Sequence, residues 1–370
     1  MTETKRLDYL DMAKGLGMLF VLIGHLQGER IFTLSPYIQP LCVWIFSFHM
    51  PLFFIISGIL IFEKSGEDLP LSVHISKRFR SIMIPYYWFS FFYILVVIYA
   101  LIRGTIQPDT LFVNLWYILS GYGMNVLWFL PALFLGEILF IFLKQRLHAR
   151  LFPIVLIIIS VIGFVFSFLL TFMNRDISWM ERIHELLTVL IRPLIVSGFI
   201  GIGYYTHYFV TTNKNILSVK ERMLSSKPQR TIFYIFSGIL MMVLCRFFCV
   251  INNGIDFRSL AFRNIPAFLI CALLGSFGLI LLCKGLPKIR LLCFWGIGSL
   301  TFMAVHNSET ILHLALTFSM YLNQYLTRAR GYICYAVILF IILIYTSLMI
   351  VVIRKFFPFI LGKPVAHRKK

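Results

Sequence analysis

The chain has 370 residues, of which 59% are hydrophobic and only 13% charged, about half the charged share of a soluble domain, and its mean hydropathy is +0.87. These values exclude a soluble globular protein and point to an integral membrane protein. The formal net charge of +19 does not indicate a nucleic-acid partner, because the basic residues lie in short runs between apolar stretches, as they do in cytoplasmic loops.

Apolar stretches of about 17 to 25 residues are candidate spans. Ten are present, at 11–29, 38–62, 81–102, 125–143, 151–172, 188–210, 231–251, 264–283, 292–320 and 332–356. The expected fold is therefore all-α, a polytopic membrane protein forming one integral-membrane domain over 1–370. Lys5 and Arg6 precede the first stretch as in a signal peptide, but Asp8 and Asp11 interrupt it, so it reads as a retained helix. Residues 109–124 read as a short re-entrant or interfacial segment on the outside, anchored by Trp116, Tyr117 and Tyr122. The ninth stretch is too long for a simple span and is expected to tilt, or to kink near Gly296 and Gly298.

With the N-terminus inside, about 24 of the 34 Lys and Arg residues fall on the cytoplasmic side, including Lys77, Arg78, Arg80 and Lys144. Both termini are then cytoplasmic. The longest loop, 211–230, is basic and reads as a surface connector. The seven cysteines contain no C-x-x-C and mostly sit in apolar stretches. They read as small buried hydrophobes rather than disulfides or a zinc site, and no metal site is expected.

Ionisable groups inside spans are costly and mark function. In the first stretch Lys14 and His25 are eleven residues apart, close to three helical turns, so they share a face roughly 16 Å apart along the axis. Lys14 could equally snorkel to headgroups, and His25 could be a structural hydrogen-bond partner. Asp11 is too far from His25 to orient it and is expected to pair with Lys14 at i, i+3. The second stretch runs antiparallel, which places His49 at the depth of His25. Pro51 beside it could open the helix there, with His49 bracing the loosened turn. The ninth carries His306, Asn307 and Glu309 as either a structural network or a substrate contact. Glu137 in the fourth stretch, Arg192 in the sixth and Arg246 in the seventh are further buried-charge candidates. Trp128 reads as an outer interface anchor.

The ordered segments RLDYLDMAKGLGMLFVLIGH, FHMPLFFIISG, IPYYW, LWFLPALF and GSLTFMAVH together resemble the membrane-bound acyltransferase-3 family, and within it the fucose 4-O-acetylase-like glycan O-acetyltransferases. The resemblance is dense over the first helices, returns at the fourth and ninth stretches, and is thin between. It implies acyl transfer, most often of acetyl, from cytoplasmic acyl-CoA to a hydroxyl of a carbohydrate: an exopolysaccharide, glycolipid or cell-wall glycan at a bacterial plasma membrane. No permanently bound cofactor is implied. The family's helix-1 signature, a basic residue followed by histidine after ten residues, falls on Lys14 and His25. His25 would be the catalytic base and Lys14 would help hold the donor. The family's R-x-x-R before the third helix is altered: Ser81 stands at the second position after Arg78, while Lys77 and Arg80 keep the spacing one residue earlier. Arg78 and Arg80 are the expected donor-binding residues.

The chemistry is compatible. A histidine with a pKa near 6.5 can take the proton of a sugar hydroxyl, worth roughly 100- to 10,000-fold, and donors such as His49 or Asn307 could stabilise the thioester oxyanion. Asp11, Trp128, Glu137, His306, Asn307 and Glu309 are the supporting or substrate-binding candidates. The alternative reading is a transporter or flippase of a polar glycan intermediate, which inverted repeats would support; none is evident in the sequence.

Overall fold

Two breaks in otherwise apolar helices shape this chain. A computed structural model describes residues 7–28, 38–64, 69–173, 175, 177–213, 226–251, 255–307, 317 and 330–364. Its helices are α1 (Asp8–Gly28), α2 (Ile38–Phe46), α3 (His49–Glu63), α4 (Leu71–Arg78), α5 (Ile84–Ile102), α6 (Pro108–Ser120), α7 (Phe129–Arg146), α8 (Leu151–Leu170), α9 (Ser178–Thr212), α10 (Lys227–Phe248), α11 (Ile265–Gly285), α12 (Arg290–Ile297), α13 (Ser299–Val305) and α14 (Arg330–Phe356). Among the described residues the only β pairing is an isolated Asp256–Ala261 bridge. The protein is an all-α, multi-pass membrane protein.

Nine helical stretches among the described residues are long and apolar enough to cross a bilayer: Asp8–Leu26, Pro40–Glu63, Leu71–Ile102, Pro108–Arg146, Leu151–Leu170, Ser178–Thr212, Pro228–Ile251, Ile265–Gly285 and Tyr335–Phe356. They correspond to every expected span except the ninth. That segment begins as α12 and α13, separated by the expected break at Gly298, and its second half lies mostly outside the described residues.

The first break separates α2 from α3 at Ser47 and Phe48. Pro51 sits in the first turn of α3, where its missing N–H removes little. Residues 109–124 are mostly the helix α6, begun by Pro108 and ended by Gly121 in the left-handed conformation, φ +75°. Trp116 Nε1 on α6 donates to Glu185, and Tyr122, just beyond the helix, is buried, whereas Phe112 on the same helix is exposed. Of the expected interfacial anchors, Tyr122 is therefore internal, and Trp116 and Tyr117 are half-buried. Ser226 and Gln229 form a reciprocal capping box that opens α10. The six cysteines whose side chains are described are free and buried.

The chain divides into two compact units. The first holds Met1–Ile56, Tyr208–Ile255 and Arg263–Val352; the second holds Ser57–His207, Asp256–Phe262 and Ile353–Lys370. In the first unit α1 crosses α12 backbone to backbone. A Cβ placed on Gly15 would fall 2.0 Å from the Leu292 carbonyl oxygen, and one on Gly296 would fall 1.8 Å from that of Asp11. Only glycine permits this approach, as small residues do at membrane helix crossings. In the second unit a π-helical turn, Phe79–Met83, follows α4. Such turns shift the register of the side chains beyond them and often lie at functional sites.

Candidate active site

A carbonyl oxygen can accept two hydrogen bonds, and two histidines of the first unit use backbone carbonyls at helix ends in this way. His49, 7% exposed, opens α3 just after the Ser47–Phe48 break, and its Nδ1 lies 3.1 Å from the Ile45 carbonyl oxygen. His306, 2% exposed, ends α13, with Nδ1 2.7 Å from the Met303 oxygen and 3.1 Å from that of Phe302. A carbonyl oxygen only accepts, so in both rings Nδ1 carries the proton and donates. In the neutral ring Nε2 is then an acceptor. The Nε2 of His306 is buried and has no hydrogen-bond partner among the described residues.

These rings gather around the last turn of α1. The ring centroids of His25 and His306 are 5.3 Å apart, those of His25 and Phe46 6.3 Å, and those of Phe46 and His49 5.3 Å. Tyr335 on α14 donates to the Ile23 carbonyl at 3.0 Å and ties that helix to the same turn. Asn307, 4% exposed, follows His306, and Glu309 lies outside the described residues. His25 is in ring contact with His306, and Phe46 is in ring contact with both His25 and His49, which were expected to share one cavity. The expectation that neutral His49 donates to an oxyanion changes, since its proton is held by the Ile45 carbonyl. Nothing in the sequence marked Phe46 as the ring between them.

Toward the other end of α1, Lys14 Nζ lies 2.7 Å from Asp11 Oδ1, the expected i, i+3 pair. The Lys14 side chain is 20% exposed, the Asp11 side chain 7%. Among the described residues, no three His, Cys, Asp or Glu side chains form a group that could hold a metal ion.

In the second unit Glu137, 2% exposed, accepts a short hydrogen bond from Ser57 Oγ and stands 2.9 Å from Arg78 Nε. A buried carboxylate needs such partners. Arg78 also lines a cavity of about 820 Å³ together with Lys64, His74, Lys77, Ser81 and Lys144. Ser81, standing where a second arginine was sought, donates to the Arg78 carbonyl at 3.3 Å. Arg80 is exposed and is not among the cavity's lining residues; Lys77 is. His74 shares α4 with Lys77 and Arg78, whereas Lys64 and Lys144 come from the ends of α3 and α7, which is why spacing alone did not select those two.

Arg192 is buried, as expected, and closes a clasp in the same unit. Its Nε donates to the Arg258 carbonyl at 3.0 Å, its Nη1 to the Tyr122 carbonyl at 3.0 Å, and its Nη2 makes a short bond to Arg258 O. Its guanidinium lies over the rings of Tyr122 and Trp128. Trp128, 8% exposed, stacks on Phe257 with centroids 5.8 Å apart. It is therefore a packed member of this clasp and not an interface anchor, because a buried cation and a second aromatic hold its faces. Arg246, read as a buried charge, is exposed.

The acyltransferase-3 family, described as an acyltransferase domain, matches residues 7–352. Nodulation protein NolL of Mesorhizobium japonicum is similar, with 27% identity over 266 residues. The match covers 65% of this chain, and the chain spans 65% of the length of that curated relative. No solved structure matches the chain.

Proposed function

The chain belongs to the acyltransferase-3 family, and from that premise we propose that it is an acyltransferase that moves an acyl group, acetyl above others, from acyl-CoA to a carbohydrate hydroxyl, with His25 as general base. The observation that carries this reading is the histidine group: His25 stands 5.3 Å from the buried His306 and, across Phe46, beside His49. A hydroxyl is a poor nucleophile at neutral pH until a base takes its proton. The hydroxyl oxygen attacks the thioester carbonyl, its proton passes to His25, and the carbonyl oxygen becomes an oxyanion. Collapse breaks the C–S bond, and the thiolate takes the proton back from His25. Asn307, buried and next in sequence to His306, is the donor assigned to the oxyanion.

Two features suit the donor. Coenzyme A is polyanionic, and the cavity lined by Lys64, Lys77, Arg78 and Lys144 presents the cations that bind phosphate. The Arg78 guanidinium is oriented by Glu137, which Ser57 holds in turn. Lys14, oriented by Asp11, is a second donor contact. The acceptor is a cell-surface or lipid-linked glycan, and the membrane is a bacterial plasma membrane; the positive-inside count supports cytoplasmic termini, and with them a donor bound from the cytoplasmic side.

Inverted membrane vesicles given acetyl-CoA labelled in the acetyl group test this. Base-labile label on membrane glycan is expected with the wild type and is expected to vanish with His25→Ala. Wild-type vesicles containing the native glycan that consume neither acetyl-CoA nor longer acyl-CoAs would refute the donor assignment.

A further inference from the structure

A general base needs a partner on its far side. In hydrolytic triads a buried acceptor holds the imidazole in one orientation and stabilises the imidazolium formed when it takes the proton. Asp11 is on α1 with His25, more than three helical turns away, and is paired with Lys14.

We infer that His306 is the positioning residue for His25, supplying through Nε2 the acceptor that a carboxylate supplies elsewhere. This rests on His25 being the base, as proposed above. Four observations carry it. His306 is 2% exposed. Its Nδ1 proton is committed to the Met303 and Phe302 carbonyls, which fixes the ring and leaves Nε2 as the acceptor. That Nε2 has no partner among the described residues, although buried polar atoms are ordinarily bonded. Finally, the His25 ring is 5.3 Å away, centroid to centroid, at an interplanar angle of 57°. Two imidazoles joined by an N–H···N bond of about 2.9 Å have their centroids at about this separation, so the observed spacing is one that such a bond requires. Catalytic hydrogen bonds commonly close only when substrate is bound.

When His25 takes the hydroxyl proton it carries two N–H groups. One faces the reacting atoms and returns its proton to the thiolate; the other donates to His306 Nε2. No proton leaves the pair, and His306 stays neutral. His49 has the same tautomer but stands across Phe46 from His25, so His306 is the nearer acceptor.

A matched pair of variants tests this. The Gln side chain places an amide oxygen near the position of Nε2, whereas Asn reaches only the position of Nδ1. In wild-type, His306→Gln, His306→Asn and His25→Ala membranes, adjusted to equal folded protein by gel filtration, acyl transfer to glycan and hydrolysis of acyl-CoA by water are both followed. The expected result is a fall of about ten- to a hundredfold in kcat for His306→Asn, equal for transfer and hydrolysis, with both KM values unchanged. His306→Gln is expected to recover most of that loss. Equal losses in Gln and Asn, or full activity in Asn, would overturn the inference while leaving His25 as base. A loss confined to transfer would overturn it too, showing that His306 binds the acceptor instead. Full activity in His25→Ala would remove the reading beneath it.

Discussion

The crossing of α1 with α12 makes a quantitative demand on the sequence. Gly15→Ala places a methyl group 2.0 Å from the Leu292 carbonyl oxygen, and Gly296→Ala places one 1.8 Å from the Asp11 carbonyl oxygen. Neither oxygen is on a flexible side chain. To restore a contact of about 3.0 Å, the shortest that packed carbon and oxygen tolerate, the helices must part by about 1 Å. Overpacking of this kind costs about 1–3 kcal/mol, offset by about 1 kcal/mol because alanine is the better helix former. Because backbone cannot rotate away, the upper part of the range applies and each variant should lose about 2 kcal/mol. Gly17→Ala is the control on the same helix. Its methyl group meets Leu52 Cδ2 at 2.8 Å, the end of a side chain that can change rotamer, so its stability should lie within about 1 kcal/mol of the wild type.

The two crossing variants should also be coupled. One separation of about 1 Å accommodates both methyl groups, so the double variant should cost much less than the two singles added. The same separation draws His25 on α1 away from His306, which ends α13, directly after α12. Misplacing reacting groups by about 1 Å can cost about a hundredfold in rate, so acyl transfer should fall further than stability implies. Thermal unfolding in detergent measures the first effect, and labelled acetyl transfer in vesicles the second. If Gly15→Ala unfolds no earlier than Gly17→Ala and retains wild-type transfer, α1 and α12 do not cross in backbone contact and the reasoning fails.

Glu137→Gln removes the charge facing Arg78, whose side chain is 24% exposed. Water screens part of the loss, so the expected cost is about 1–3 kcal/mol. Adding Arg78→Gln should recover some of that stability in the same unfolding assay. Arg192→Leu strips the Tyr122 and Arg258 carbonyls of their donor. At about 1–3 kcal/mol for each unsatisfied buried group, little folded protein should survive detergent extraction, and yields equal to the wild type would contradict the clasp. Lys77→Gln and Lys144→Gln at the basic cavity should each raise the donor KM about two- to fivefold, as exposed ion pairs of up to about 1 kcal/mol imply. Their kcat should be unchanged, and the effect should shrink in high salt. Unchanged donor KM values at low salt would take the CoA phosphates away from that cavity.

How far the sequence could be read depended on how far apart in the chain the interacting groups lie. Spans are local: hydropathy over one helix length locates them, and all but the segment that leaves the described residues reappear as long helices. The Asp11–Lys14 pair is local as well, since the helix repeat places i and i+3 together. His25 and His49 needed one further step, the antiparallel return of the next helix, and that step is short enough for sequence to supply. Arg78 could be read as basic and near a helix end, but its partner Glu137 comes from α7, and the cavity's Lys64 and Lys144 come from other helices. Trp128 shows the limit from the other direction. An aromatic at a span end is ordinarily an interface anchor, and only the return of the 256–262 segment, bringing Phe257 and the Arg258 carbonyl against Trp128 and Arg192, reverses that assignment. The same holds for His306. Sequence could place an ionisable ring in an apolar helix, but not decide which nitrogen bears the proton. The carbonyls of Phe302 and Met303 decide it, because they meet the ring at the end of α13, that of Phe302 while also accepting the His306 backbone N–H. The helix end thus turns a histidine that could donate or accept at Nε2 into one that, while neutral, only accepts there, which is the property that the proposed positioning of His25 draws on.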